Sequence, residues 1–260
     1  MMRPLLLTVI LAAAAATTTT VDAAELCGNI TSSETWPAGE HMMTCQVFVN
    51  PGATLTIKPG ATIKAQWDED TEPAAPALVI ERGAKIMADG TKDEPITFTT
   101  TSRTLPMRGT WGGVIVLGNA PISTEGGENF VEGLEAGGAY GGDDPEDDSG
   151  VLRYVRIWYG GAVIGQDNEI NGLTLAGVGN GTTVEFIEVA FNLDDGIELF
   201  GGTVNLKYIS VLFCGDDAID TDEGYQGKIQ CAWFARAPCM TNPNPRILSS
   251  PTRPDPKGMH

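Results

Sequence analysis

The sequence predicts an all-β protein, a single-stranded right-handed parallel β-helix. Three observations carry that expectation. First, segments recur in register: "LTIKPGATIKAQ" (55–66) over "LVIERGAKIMAD" (78–89) at an offset of 23, and "EFIEVAFNLDDGIE" (185–198) over "KYISVLFCGDDAID" (207–220) at an offset of 22. Offsets in the low twenties, each holding two or three strands, correspond to one coil of a solenoid. Second, the recurring segments alternate apolar and polar residues and are rich in β-branched side chains, the pattern of short strands and not of helices. Third, 32 glycines punctuate them, which leaves little room for helix. The hairpins of a sandwich would not require an in-register repeat of this length.

The elements follow in chain order. Residues 1–23 carry Arg3, an apolar run over 5–16 and a small-residue exit at Ala23, the pattern of a signal peptide cleaved after Ala23 or Ala24. The apolar run is shorter than the roughly 20 residues that span a bilayer, and no later segment is longer, so no membrane span is expected. The chain is expected to be secreted, extracellular or on the cell surface. Residues 24–46 are read as an N-terminal cap and 47–234 as the β-helix. Along it Ile57, Ile63, Ile80, Ile86, Ile187, Val189, Ile197 and Leu199 are expected to point inward. "RYVRIWYGG" (153–161) matches "EFIEVAFNL" (185–193), "NGLTLAG" (171–177) matches "DGIELFG" (195–201), and 108–121 reads as a further strand. Residues 123–150 form a long acidic, glycine-rich loop that interrupts the coils, its end (141–150) read as solvated and flexible. The segment 235–260 carries six prolines and cannot pair as strands. It is expected either to lie over the open edge of the last coil or to mark a sequence that stops early.

Composition narrows the partners. A formal charge of −18 argues against nucleic acid, which rewards basic patches. An acidic polysaccharide would be repelled too, unless a divalent cation bridges the two. Among five cysteines, Cys27 and Cys45 are placed to close an N-terminal loop in an oxidising compartment; Cys214, Cys231 and Cys239 leave several pairings open. With only His41 and His260, and no Cys-x-x-Cys, a zinc site or a Ser-His-Asp triad is not expected. Asn29 and Asn180 open glycosylation sequons.

The densest chemistry lies in "GDDAIDTDEG" (215–224), where five of ten residues are acids. The repeat register stacks Thr174, Glu198 and Asp220 in one outward column and Asn171, Asp195 and Asp217 in another, with Asp222 over Phe200. Carboxylates one coil apart, about 5 Å, repel by roughly 3 kcal/mol at an effective dielectric near 20. Water and salt can offset this at an exposed face. So can a hard divalent cation, and Asn171, Asp195, Glu198, Asp217, Asp220 and Asp222 are the candidate ligands, with calcium the cation their oxygens suit. A proton shared between two carboxyls is the third possibility. Tyr154, Trp158 and Phe200 point outward and either form a sugar-stacking strip or cover the coils beneath a loop. Arg156 stands level with Glu188, which suits an ion pair better than a lyase base.

"VFVNPGATLTIKPGATIKA", "WGGVIVLGNAP", "VLRYVRIWYGG", "DDGIELFGGTVNLKYISV" and "GDDAIDTDEGYQGKIQ" occur in an order that resembles a group of secreted, surface-associated β-helix proteins common in Bacteroidetes and marine microbes, mostly without a demonstrated activity. That resemblance covers roughly 35–232 and implies a pectin-lyase-like β-helix and an exported location. Locally, "NLDDGIE" and "GDDAID" are similar to the paired aspartate motifs of polygalacturonases, which would assign Asp194 or Asp195 to the first motif and Asp216 with Asp217 to the second. No Gly-His-Gly or Arg-x-Lys follows Asp217, a departure from those enzymes. The expectation is a non-catalytic surface scaffold or glycan- and cation-binding module. The alternative is an enzyme on polysaccharide that uses Asp195, Asp216 and Asp217.

Overall fold

The computed structural model describes residues 24–67, 75–102, 107–131, 134, 137–165 and 168–236. The leader and the proline-rich tail beyond Arg236, with Cys239, lie outside them. The described chain is a parallel β-helix with three strand ladders, called faces A, B and C below. Face A runs through Ala77–Ile80, Gly113–Leu117, Leu173–Ala176, Ile197–Phe200 and Ile219–Asp222, one coil above the next. Face B starts with Glu34–Trp36, Thr54–Ile57 and Lys85–Asp89 and continues in the first halves of Gly150–Trp158, Thr183–Ala190, Asn205–Leu212 and Ile229–Ala235. The second halves of those four strands stack on Ala61–Ala65 and Ile96–Thr100 to make face C.

Alternation along each strand sends every second side chain into one interior. Leu55, Ile63, Ile80, Ile86, Leu152, Leu175 and Leu199 are fully buried there, and each is worth about 1.5–3 kcal/mol in removed apolar surface. The isoleucines named from the sequence all point inward, but the 23-residue repeat is not a coil. Leu55 pairs with Ile86, at an offset of 31, and not with Leu78. The matching segments 55–66 and 78–89 occupy faces B and C in one case and faces A and B in the other. They repeat a corner, strand–turn–strand, advanced by one face. The 22-residue repeat is a true coil: Glu185 pairs with Lys207 and Glu198 with Asp220.

The B-to-C corner is made by a single residue in the left-handed region: Tyr154 (φ 50°), Phe186 (φ 54°), Tyr208 (φ 59°) and Cys231 (φ 59°) in successive coils. Such a conformation costs a non-glycine residue roughly 1–2 kcal/mol. Stacked rings offset it, with centroids 4.4 Å apart for Tyr154–Phe186 and 4.5 Å for Phe186–Tyr208, each pair contributing about 0.5–1.5 kcal/mol. A second ladder, Tyr159–Phe191–Phe213, lines the exit from face C.

Residues 24–46, read as a cap, run in the same ladders: Ala24–Ile30 pairs along Gly39–Val49, and a Cys27–Cys45 disulfide ties the two. Cys214 and Cys231 are free thiols. The 123–150 insertion leaves face A after Gly113–Leu117 and returns on face B, carrying a short hairpin of Asn129–Phe130 and Ala139–Tyr140. Its end is anchored, not merely solvated. Asp147 is buried and accepts hydrogen bonds from Ser149 Oγ and Asn119 Nδ2, while Ser149 N donates to Thr182 Oγ1.

Candidate functional site: the outer side of face A

Three consecutive face A strands, Leu173–Ala176, Ile197–Phe200 and Ile219–Asp222, hold the acids in place. Leu173, Leu175, Ile197 and Leu199 anchor the inner side in the core. Alternation then leaves Thr174, Glu198 and Asp220 in one outward column, as the register requires. At the preceding bend, Gly172 N donates to Asp195 O and Gly196 N to Asp217 O, which sets Asn171, Asp195 and Asp217 level with one another. The carboxylates of Asp195, Glu198 and Asp220 come within 4.8 Å of one another, and those of Asp194, Asp195 and Asp216 form a second group of the same size.

The placement of the remaining candidates differs in instructive ways. Asp217 supplies its backbone N–H to Asp195 Oδ1 at 2.8 Å, while its own carboxylate turns toward Arg236, 3.6 Å away. Asp222 sits over Phe200, as expected, and accepts a hydrogen bond from Glu223 N, which makes it a turn residue at the edge of the cluster. Asn171 donates through Nδ2 to Glu198 Oε2. His41 lies in the first coils, bonded to Pro37 O and stacked on Trp36. Asn29 and Asn180 are both exposed.

Electrostatics follow from this crowding. Burial first, and then the charges of Asp195 and Asp220, push the Glu198 carboxyl up to about 8. Asp195 rises to about 6, chiefly through burial, against the lowering effect of the Asp217 N–H bond. Two carboxylates at 4.8 Å repel by about 3 kcal/mol at an effective dielectric near 20, so the group holds protons that ordinary carboxyls would release.

The loop adds what the sequence had not placed. The hairpin folds over face A and leaves between them a half-open cavity of about 270 Å³, whose lining includes Asn129, Phe130 and Tyr140 from the loop and Asn171, Glu198 and Glu223 from the coils. Asn129 Nδ2 donates to Glu223 Oε1 at 2.6 Å. The Tyr140 ring packs tilted on Phe200 at 6.0 Å, and burial, with the nearby Glu223 charge, raises its phenol pKa. Glu223 was visible only as one acid among five, and the aromatic residues of an acidic glycine-rich loop were the remaining signal. Phe200 therefore lies beneath a loop, while Tyr154 belongs to the corner stack and Trp158 donates to Glu188 Oε1. These three do not form one strip. Glu188 is taken by Trp158, and Arg156 lies over the Trp158 ring at 5.8 Å, in place of the expected Arg156–Glu188 ion pair.

A family model described as a pectate-lyase like beta helix domain matches residues 28–242. The chain belongs to this family. Neither the curated proteins nor the solved structures give a match. In this pectate-lyase like β-helix, the match spans every described coil that contributes a strand to the acidic face. No helix among the described residues is long and apolar enough to cross a membrane.

Proposed function

We propose that this pectate-lyase like β-helix is an exported, non-catalytic module that binds an acidic extracellular or cell-surface polysaccharide through a divalent cation. Asp195, Glu198 and Asp220 are the ligands, and calcium is the cation that suits an all-oxygen set. The carrying observation is the convergence of three carboxylates within 4.8 Å on one outward face, beside a buried Asn171 amide whose Oδ1 has no partner. The raised pKa values of Glu198 and Asp195 support it, because burial first and the neighbouring carboxylates second penalise their ionised forms, a penalty that a bound cation offsets. A chain of net charge −18 also needs a bridge to meet an anionic glycan.

Calorimetric titration with calcium chloride tests the cation, and a polygalacturonate co-sedimentation assay with calcium or EDTA tests the glycan. Saturable calcium binding that is lost in Asp220→Asn, with calcium-dependent retention on the polymer, is the expected outcome. Retention unaffected by EDTA would sink the bridging role.

One observation favours a second reading, a polysaccharide hydrolase. Glu198, pushed to about 8, is an acid at neutral pH, beside an Asp195 pushed only to about 6. Two neighbouring carboxyls with separated pKa values are the arrangement of an acid and base pair. Release of reducing ends from pectic polymers, abolished in Glu198→Gln, would establish that reading over binding alone.

A further inference from the structure

The cavity beneath the paired strands Asn129–Phe130 and Ala139–Tyr140 is separate chemistry from the carboxylate group, although Glu198 borders both. Its size, about 270 Å³, lies at or below the low end of ligand sites, roughly 300–1,000 Å³, and suits one ring and not a chain of them. Its apolar lining includes Phe130, Ile170 and Phe200, and Phe130 keeps 64% of its surface open to solvent. Its polar groups include two acceptors with no donor. Asn171 is only 4% exposed, and its Oδ1 is buried without a partner; Glu223 Oε2 is in the same state. The Tyr140 hydroxyl lies within reach of a side-chain hydrogen bond to Glu223, whose charge it also feels, yet no donor meets Oε2 in full bonding geometry. Buried acceptors without donors are uncommon in folded proteins, and two that border one cavity call for a ligand that brings donors. Among the described residues no lysine, arginine or histidine lines the cavity, while Glu198 and Glu223 do, so an anionic ring meets no described group that would receive its charge.

We propose that this cavity is a subsite for a single non-anionic sugar ring, which lays its apolar face on Phe130 and Phe200 and donates hydroxyl (or amino) hydrogens to Asn171 Oδ1 and Glu223 Oε2. The chemistry is that of carbohydrate sites in general: an aromatic wall for the C–H face and fixed polar groups for the ring edge. It uses no cation and shares with the calcium reading only Asn171 and Glu198, which lie between the two sites. A protein that ignores calcium yet binds such a ring keeps this inference and loses the other.

The test is saturation-transfer NMR on the full chain in EDTA, with methyl glucoside, methyl galactoside, methyl mannoside, glucosamine and galacturonate as separate probes. At least one of the first four is expected to receive saturation, and galacturonate none. A methyl glycoside and glucosamine distinguish a hydroxyl from an ammonium as the preferred donor. Phe130→Ala removes an exposed side chain and is expected to weaken binding about tenfold, since an aromatic contact is worth up to about one order of magnitude. Glu223→Gln, which replaces an acceptor oxygen by a donor or a neutral one, is the second variant and is expected to weaken it as well. Silence from all four non-anionic probes overturns the assignment. So does galacturonate binding equally in EDTA, or binding that survives both substitutions unchanged.

Discussion

Replacing Glu198 by Gln isolates the electrostatic cost built into face A. The carboxyl rises from its ordinary 4.5 to about 8, which corresponds to about 5 kcal/mol at 1.36 kcal/mol per pH unit. The side chain is partly open to the cleft, and solvent screening reduces this to about 1–2 kcal/mol. The sign follows from linkage. The folded chain holds this proton more tightly than the unfolded chain, so protonation favours the fold. The penalty is absent below 4.5, grows as pH rises, and is complete above about 8. Glutamine keeps the shape and carries no charge at any pH. In EDTA at about pH 9, Glu198→Gln should therefore melt about 2–8 °C above the natural protein, and at about pH 5 the two should coincide. Differential scanning calorimetry at both pH values is the assay. Calcium chloride should then raise the melting temperature of the natural protein at high pH and leave the variant nearly unmoved. Equal melting of the two proteins at high pH in EDTA would refute the reasoning, as would a variant destabilised at both pH values.

Calcium affinity should rise with pH between about 6 and 8, by about tenfold to a hundredfold, because Glu198 and Asp195 must shed their protons to bind; calorimetric titration across that window measures it, and a flat profile excludes Glu198 as a ligand. Gly113 has φ +104° and a Cβ there would sit 2.2 Å from Asn171 O, so Gly113→Ala should cost more than about 2 kcal/mol in urea unfolding. Gly126→Ala, at φ +89° with open space around it, should cost only about 1–2 kcal/mol. Cys27→Ser opens a disulfide across 18 residues and should lower stability by about 3 kcal/mol, measured as a melting temperature that no longer responds to reductant.

The fold was legible because a solenoid writes its periodicity into the chain. The 22-residue match placed Glu198 on Asp220 and Asp195 level with Asp217, and the hydrogen-bond register agrees residue by residue. The 23-residue match was misleading for a physical reason. Corners of a three-faced helix obey the same rules whichever face they join, so a strand–turn–strand can recur without being stacked on itself. The columns Tyr154, Phe186 and Tyr208 were present in the alignment of those segments, yet alternation alone cannot reveal that each bends the chain left-handed and stacks on the next. The cavity was out of reach because it depends on a long insertion folding back across face A. Nothing in the spacing of Asn129, Tyr140 and Glu223 says that they meet.

The left-handed corner has a thermodynamic consequence for the whole solenoid. Each bend is tolerable only with a ring above or below it, so stability is shared vertically, between neighbours, as in a one-dimensional cooperative array. Among the described residues the last corner of the column is Cys231, which takes the same bend without a ring of its own, on a strand whose Trp233 and Phe234 are exposed. Among the described coils, the Ile229–Ala235 strand should therefore open most readily and the first coils, tied by the Cys27–Cys45 disulfide, least. The carboxylates of Asp195 and Glu198 belong to one coil and that of Asp220 to the next, the last described coil of face A. Whatever draws them together acts as a clasp on the last coils and converts a local contact into resistance to unravelling.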